Sequence, residues 1–371
     1  MTTVHLDPGA AQRLAQAVFV HKGLGPDEAR VVAAHLVGAN LAGHDSHGFV
    51  RLVRYARWID DGTIVPRTDG TALMDCDTML LVDAAHGAGQ WVCERWIDEA
   101  VQRARRHGLA LLAVRRAAHI GRVGRYAEMA ADAGLVSMHW VNVAGSRLVA
   151  PFGGTERMLS TAPIAVGVPQ PGGDHVLLDF ATSLVAEGKL LVAAKKRQAM
   201  AFEALVGPAG EVSCDPALLY GDTVHDEAPN NRAGPGAILP LGGLFGGHKG
   251  YGLAVMCELL GGLLTGTGVS LDAGRVRNGM LSILIDPTRL DADGTFAAQV
   301  AGFVQRLRAS HPMTAGQPVM VAGDPERRAR IERNRDGFPM PATAWREIQA
   351  LARQAGVPAA DVQATVTRTT G

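Results

Sequence analysis

The sequence predicts a globular α/β chain, and three observations carry that reading. Apolar runs of strand length (Leu109 to Val114, Leu135 to Val141, Met280 to Ile285) alternate with longer stretches of helical periodicity. Glycine and proline punctuate the joins, with 45 glycines among 371 residues. That length is enough for a large core and two interleaved domains. Basic and acidic residues balance at 36 each, so no net field favours nucleic acid or an anionic membrane. Cys76, Cys93, Cys214 and Cys257 lie far apart without CxxC spacing, so neither a zinc site nor a disulfide framework is expected. The start lacks a basic stretch followed by an apolar run, and Leu253 to Leu264 is too short and Gly-broken to span a bilayer. The expectation is a soluble cytoplasmic protein with no metal and no membrane partner.

Taken in order, Asp7-Pro8 is a cap followed by proline at the first helical position, opening a helix to about Val20. Gly25 to Glu28 opens a second, with Val31, Val32, His35, Leu36 and Ala39 at helical spacing. Asp45 and Ser46 are cap residue types for a third, which Gly62 stops. Short β-like runs fill Ile64 to Val82. A strong amphipathic helix, Trp91 to Arg106, ends at Gly108 and leads into the first buried strand. A loop, Arg115 to Gly121, precedes a helix of about Val123 to Ala133. Strands follow at Leu135 to Val141, Ile164 to Val168 and Val176 to Phe180, then a helix over Ser183 to Arg197. Cys214 to Pro240 is a long polar connection, the best candidate for a mobile insertion. Gly246 to Gly250 opens an apolar helix to about Leu264. Three helical segments around Phe296–Arg308, Pro325–Arg333 and Ala344–Ala355 finish the chain.

Four stretches are candidates for chemistry. On the third helix, His47 stands in the first turn and Arg51 four residues later on the same face. An imidazole that can carry a proton beside a guanidinium that can grip a carboxylate suits interconversion of 2-oxo and 2-hydroxy acids. The alternative is a capped helix with a surface histidine and a solvated arginine. His119-Ile120-Gly121-Arg122, between a strand and a helix start, offers free N–H groups for a phosphate, although the G-x-G-x-x-G fingerprint is absent and the next strand reaches Asn142 rather than an acid. His119 is a second acid/base candidate or a loop imidazole bonded to backbone. Asp179 closes a strand, where it could take ribose hydroxyls, orient a histidine or cap the following helix. Lys249, in Gly247-His248-Lys249-Gly250, resembles an anion cradle at a helix start without being a P-loop. No metal-ligand spacing and no G-x-S-x-G elbow is present.

Asp45-Ser46-His47-Gly48, His119-Ile120-Gly121, Pro151-Phe152-Gly153-Gly154, Leu178-Asp179-Phe180-Ala181-Thr182-Ser183, His248-Lys249-Gly250-Tyr251-Gly252 and Ala322-Gly323-Asp324 occur in one order nearly end to end. In this the sequence resembles the malate/L-lactate dehydrogenase family of non-Rossmann NAD(P)-dependent oxidoreductases. Ala39 to His44 and the segment after Lys249 look most like its hydroxycarboxylate dehydrogenase B branch. The resemblance implies an α/β fold with a central nucleotide-binding domain (76-289, with the mobile insertion at 214-240) and a helical domain for substrate and dimer contacts built from both termini (1-75 plus 290-371).

It further implies a homodimer using NAD or NADP on a small 2-oxo or 2-hydroxy acid, L-specific, with imino-acid (C=N) reduction, a ureidoglycolate-type reaction or a non-catalytic nucleotide-binding relative as alternatives. His47 would be the proton donor in reduction, in competition with His119, which ureidoglycolate relatives use. Ser46, Arg51, Thr161, Glu187 and Gly188 would face the substrate. His119, Ile120, Gly121, Arg122, Asp179, Phe180, Ala181, Lys249, Gly323, Asp324 and Arg328 would contact the cofactor. The family's Gly-Thr-Asn-Pro stands here as Ser160-Thr161-Ala162-Pro163, losing an amide, and Arg51 departs from the nearest branch. Glu187 replaces the histidine of the imino-acid reductase, and its carboxylate is expected to repel a second substrate carboxylate.

Overall fold

In the computed structural model, residues 2–221 and 232–370 are described. Part of the expected insertion, 222–231, therefore lies outside the described residues. The helices begin largely where cap chemistry places them. The Asp7 carboxylate accepts the Ala10 N–H at 2.7 Å ahead of helix Pro8–His21. Glu28 reaches back to the Gly25 N–H at 3.0 Å at the start of helix Pro26–Leu41. The long helix is Gly89–His107, and Gly108 leaves it in the left-handed region.

A mixed seven-stranded sheet runs in the order Thr71–Asp75, Met79–Asp83, Leu109–Ala117, Arg277–Ile285, Val136–Ala144, Pro163–Val168, Val176–Ala181. The first pair is antiparallel and the second parallel. A parallel neighbour requires a crossover, and Gly89–His107 supplies it. The backbone divides into two compact units: Met1–His139, Ala165–Asp179 and Ser282–Gly371 form one, Trp140–Ile164 and Phe180–Leu281 the other. This is a division by compactness, and it assigns no function to either unit.

Within the first unit lies a feature that the sequence reading missed. Thr3–Leu6 is the middle strand of a second sheet, antiparallel to both Phe338–Pro341 and Val366–Thr370. These strands are four or five residues long and pair across nearly the whole chain, so local periodicity carries no trace of them. Around this sheet, helices Pro8–His21, Pro26–Leu41, Leu52–Asp60 and Ala342–Gln354 bury Leu14, Phe19, Leu36, Tyr55 and Ile348 in one core. Phe338 meets Phe49 edge-on with ring centroids 5.8 Å apart, and both are fully buried. The second unit has its own core, including Leu148, Val149, Leu190, Leu205, Leu219 and Ile238.

Two expected helices differ and one short helix was not expected. The helix over Ser183 to Arg197 is shorter, Glu187–Lys196. The helix expected from Gly246 begins at Gly243, runs to Met256 and continues as a π-helical stretch, Cys257–Leu263. In that stretch the buried Glu258 accepts from the Ser270 hydroxyl and from the Ser270 N–H at 2.9 Å, which holds the wide turn in place. A further short helix, Ala359–Ala364, precedes the last strand. Because Phe338 joins the C-terminal strands to the helical core, Phe338→Ala is expected to cost about 3–5 kcal/mol in urea unfolding. A loss below about 1 kcal/mol would mean that the terminal sheet is not part of the cooperative unit.

Candidate active site

His47 is not in the first turn of an α-helix. Asp45–His47 and Phe49–Arg51 form two short 3-10 turns, broken at Gly48, and the α-helix starts only at Leu52. The cap reading of Asp45 and Ser46 fails because Asn40 governs the segment instead. The Asn40 amide donates to Asp45 Oδ1 at 2.6 Å, and its carbonyl oxygen accepts the Phe49 N–H at 2.6 Å. Arg333, on helix Asp324–Asp336, donates to both oxygens of Asp45 and to the Asn40 main-chain carbonyl. Glu326 on the same helix holds His44 Nε2 at 3.2 Å. A Cβ on Gly48 would collide with the Asn40 side chain, so the break needs glycine.

Arg51 shares no helical face with His47, yet the two stay coupled. Arg51 Nε donates to the Ser46 carbonyl at 2.6 Å, and the Ser46 hydroxyl lies 3.1 Å from His47 Nδ1. Among the described residues, no carboxylate pairs with Arg51. The imidazoles of His47 and His119 stack with centroids 5.7 Å apart, so the structure brings the two acid/base candidates together.

His119 is held from several elements. Tyr55, on helix Leu52–Asp60, places its hydroxyl 2.6 Å from His119 Nδ1, and Gln90 Nε2 donates to that hydroxyl at 2.8 Å. The Gly121 N–H also donates to Nδ1, at 3.1 Å. His35 Nε2 accepts the Arg122 N–H at 3.0 Å, while its Nδ1 lies 3.4 Å from Glu94. Gly121 adopts φ +75° against the His35 ring, where a side chain would have neither room nor a favourable backbone.

The loop is therefore no phosphate cradle. The N–H groups of Gly121, Arg122 and Gly124 are all taken, the last by Asp179 Oδ2 at 2.9 Å. Arg122 pairs with Glu128 at 2.6 Å and Arg125 with Glu94 at 3.1 Å, which spends the charge expected to attract an anion. Asp179 thus caps the helix Gly124–Asp132 rather than the helix that follows it in sequence.

Both histidines are held well below the ordinary imidazole range. For each the first cause is desolvation by the surrounding protein, and the second is the Arg51 guanidinium. Both are therefore neutral at pH 7. Desolvation also pushes Tyr55 up to about 12, so its hydroxyl keeps its proton.

Elsewhere, the Asp324 carboxylate is held by Arg308, Arg327 and the Val321 N–H. Burial pushes its pKa up, but those partners bring it down to about 2. It is bound up within the protein rather than open to a ribose. Arg328 pairs with Glu332 at 3.1 Å, and Gly323 turns the chain with φ +96°. Surface clefts of about 600 and 670 Å³ are lined around Arg327 and around Phe303; neither includes His47 or His119.

In the second unit, Lys249 is exposed and lies inside helix Gly243–Met256, so it is not at the free N–H groups of a helix start. Glu187 makes a two-pronged pair with Arg232, at 2.6 and 3.0 Å. Its negative charge is thereby compensated, and the repulsion of a second substrate carboxylate expected from sequence loses its basis. Ala162 is buried, and its carbonyl accepts from the Thr182 N–H and hydroxyl, so the backbone here is pinned without the family amide.

The sequence reading passed over Asn40, Tyr55 and Gln90 and used His35 only as a helical spacing. The available signal was polarity on an apolar stripe: Gln90 precedes Val92 and Cys93 on a buried face, and His35 and Asn40 sit among Val31, Val32, Leu36 and Ala39. Gly48→Ala is expected to force Asn40 off the Phe49 N–H and destabilise the protein by about 1–3 kcal/mol in urea unfolding. An unchanged midpoint would show that Asn40 does not hold the turn.

Residues 6–349 match the malate/L-lactate dehydrogenase family. Hydroxycarboxylate dehydrogenase B of Escherichia coli (strain K12) is 34% identical over 357 residues, covering 94% of each chain. L-lactate dehydrogenase of Cupriavidus necator is 32% identical over 355 residues, covering 94% of this chain and 97% of that protein. The solved structure of malate dehydrogenase from Pyrococcus horikoshii superposes with a TM-score of 0.82 at 27% identity, covering 96% of this chain and 97% of that one. The chain belongs to the malate/L-lactate dehydrogenase family.

Proposed function

We propose that this protein is an NAD(P)-dependent oxidoreductase that moves a hydride between nicotinamide and C2 of a 2-hydroxy or 2-oxo carboxylic acid. The observation that carries the reading is Arg51: a guanidinium without a carboxylate partner among the described residues, beside two neutral imidazoles. Such a charge suits a ligand carboxylate, which would fix C2 near the histidines. His47 exchanges the proton with the substrate oxygen. Ser46 orients the His47 ring through its hydroxyl.

The donor set fits a dinucleotide through side-chain charge rather than a backbone cradle. Lys249 has no ion pair among the described residues and suits a phosphate; Phe180 and Ala181 are partly exposed at a strand end. When bound, the nicotinamide supplies or accepts the hydride. We carry His119, Ile120, Gly121 and Arg122 as contacts to it, and Thr161, Glu187 and Gly188 as contacts to the substrate. Asp179 and Asp324 would serve the cofactor region through the backbone N–H groups they hold, and Gly323 and Arg328 would contact the cofactor beside them. The non-Rossmann arrangement, the division into 1-75 plus 290-371 and 76-289, the homodimer, L-stereochemistry and a cytoplasmic location complete the proposal on the strength of family membership.

The first experiment follows nicotinamide absorbance with NADH or NADPH and a panel of pyruvate, phenylpyruvate, 2-oxoglutarate, oxaloacetate and a cyclic imine. Turnover of at least one oxo acid is expected, and His47→Ala should lower it by about 10²–10⁴-fold while cofactor affinity is retained. A near-normal His47→Ala enzyme would defeat the assignment. Because a neutral His47 is a base and must gain a proton to act as an acid, reductive kcat/KM should rise from about pH 8 to about pH 6, and oxidation should not fall over the alkaline part of that range.

The Glu187–Arg232 pair gives a second expectation. The native enzyme should accept oxaloacetate and pyruvate within about tenfold of one another, and Arg232→Ala should depress the dicarboxylate selectively by exposing the Glu187 charge. Equal losses for both acids in that variant would separate Glu187 from substrate selection.

A further inference from the structure

The two stacked histidines are chemically unequal. His119 Nδ1 faces two groups, the Tyr55 hydroxyl and the Gly121 N–H. A backbone N–H can only donate, so Nδ1 must be the bare acceptor nitrogen and the ring proton sits on Nε2. Tyr55 can complete the arrangement, because Gln90 donates to its oxygen and leaves the phenolic proton to point at Nδ1. Nε2 has no hydrogen-bond partner among the described residues. His47 has no such lock. Its Nδ1 meets only the Ser46 hydroxyl, which can donate or accept, so either tautomer and the imidazolium all find a partner there.

We propose that Gly121, Tyr55 and Gln90 fix His119 as the neutral Nε2–H tautomer, so that it donates a hydrogen bond to the substrate oxygen without giving up its proton, while His47 alone exchanges the proton. This rests on the dehydrogenase reading above. Gly121, Tyr55 and Gln90 are positioning residues; they act through the His119 ring. To become an imidazolium, His119 would need a proton on Nδ1, directly against the Gly121 N–H. The charged groups facing it also oppose that state: Arg51 from the 3-10 turn, Arg54 from helix Leu52–Asp60, and any protonated form of His47 or of His35. Relay of a proton from Tyr55 is closed as well, since a phenolate is disfavoured in the same enclosure. A polarising neutral imidazole needs no such relay, because the hydrogen bond strengthens as negative charge grows on the substrate oxygen.

The test is a long-range proton–nitrogen correlation spectrum of the whole protein labelled with ¹⁵N-histidine, with His119 assigned by its loss in His119→Gln. From about pH 5.5 to about pH 9, His119 is expected to show the neutral Nε2–H pattern throughout. A bare Nε2, or an imidazolium pattern appearing in that range, overturns the proposal, and this readout needs neither substrate nor cofactor. Tyr55→Phe keeps the ring packing and should shift the His119 Nδ1 resonance and lower kcat about tenfold, the worth of one hydrogen bond, with KM nearly unchanged. Unchanged resonance and kcat in that variant would remove Tyr55 from the device. A wild-type protein that shows the locked pattern but turns over none of the acids would overturn the catalytic role while the tautomer lock stands.

Discussion

One side-chain amide sets the course of the turn that carries His47. Asn40 stands near the end of a buried helix and answers the chain twice as it turns, donating to Asp45 and accepting from Phe49. Neither bond could form if the segment continued as an α-helix, so the backbone is drawn into two 3-10 turns with Gly48 between them. The cost of the irregular path is offset by the two bonds that the buried Asn40 side chain makes, since an unmet buried polar group would cost about 1–3 kcal/mol. Arg333 and Glu326 then tie the outer side of the turn to a helix from the far end of the chain. His47 owes its position to partners on both sides of its own sequence.

The helical layer beneath has a second consequence. Helix Leu52–Asp60 is short, yet it directs Tyr55 inward, and Tyr55 touches His119 while stacking on Trp58. The two histidines therefore sit on different segments, with His119 held from the helix that follows the His47 turn. Burial removes water that would stabilise an imidazolium, and Arg51 adds positive charge at short range. Both effects favour neutral rings.

Much of this fold was legible in the sequence, because its helices are marked by local chemistry: Asp7-Pro8, the Gly25–Glu28 cap and Gly108 each act within a few residues. The central strands were legible for a similar reason, being apolar runs such as Leu109 to Val114. The terminal sheet was not, since Val366–Thr370 is a threonine-rich strand that pairs with Thr3–Leu6 at the opposite end of the chain. The site divides along the same line. His47, Arg51 and His119 announce themselves by residue type, whereas their true environment depends on Asn40, Tyr55 and Gln90, which meet them only through tertiary structure. The misplaced phosphate cradle is the clearest case: the sequence around His119 has the glycine and arginines such a loop needs, and only the fold shows that its N–H groups and charges are already engaged.

Arginine pairing separates support from function here. Arg122 meets Glu128, Arg125 meets Glu94, Arg232 meets Glu187, Arg308 and Arg327 meet Asp324, and Arg333 meets Asp45. In each the guanidinium's charge is compensated by the fold, and its role is to hold one segment against another. Arg51 is partly buried in the same helical layer, bonded to a single carbonyl, with its charge uncompensated by any described carboxylate. A partly buried cation of this kind lowers the stability of nearby positive charge and gains most from an anion delivered from outside. Its field adds to the desolvation that disfavours a protonated His47, and a carboxylate bound to it would weaken that second part.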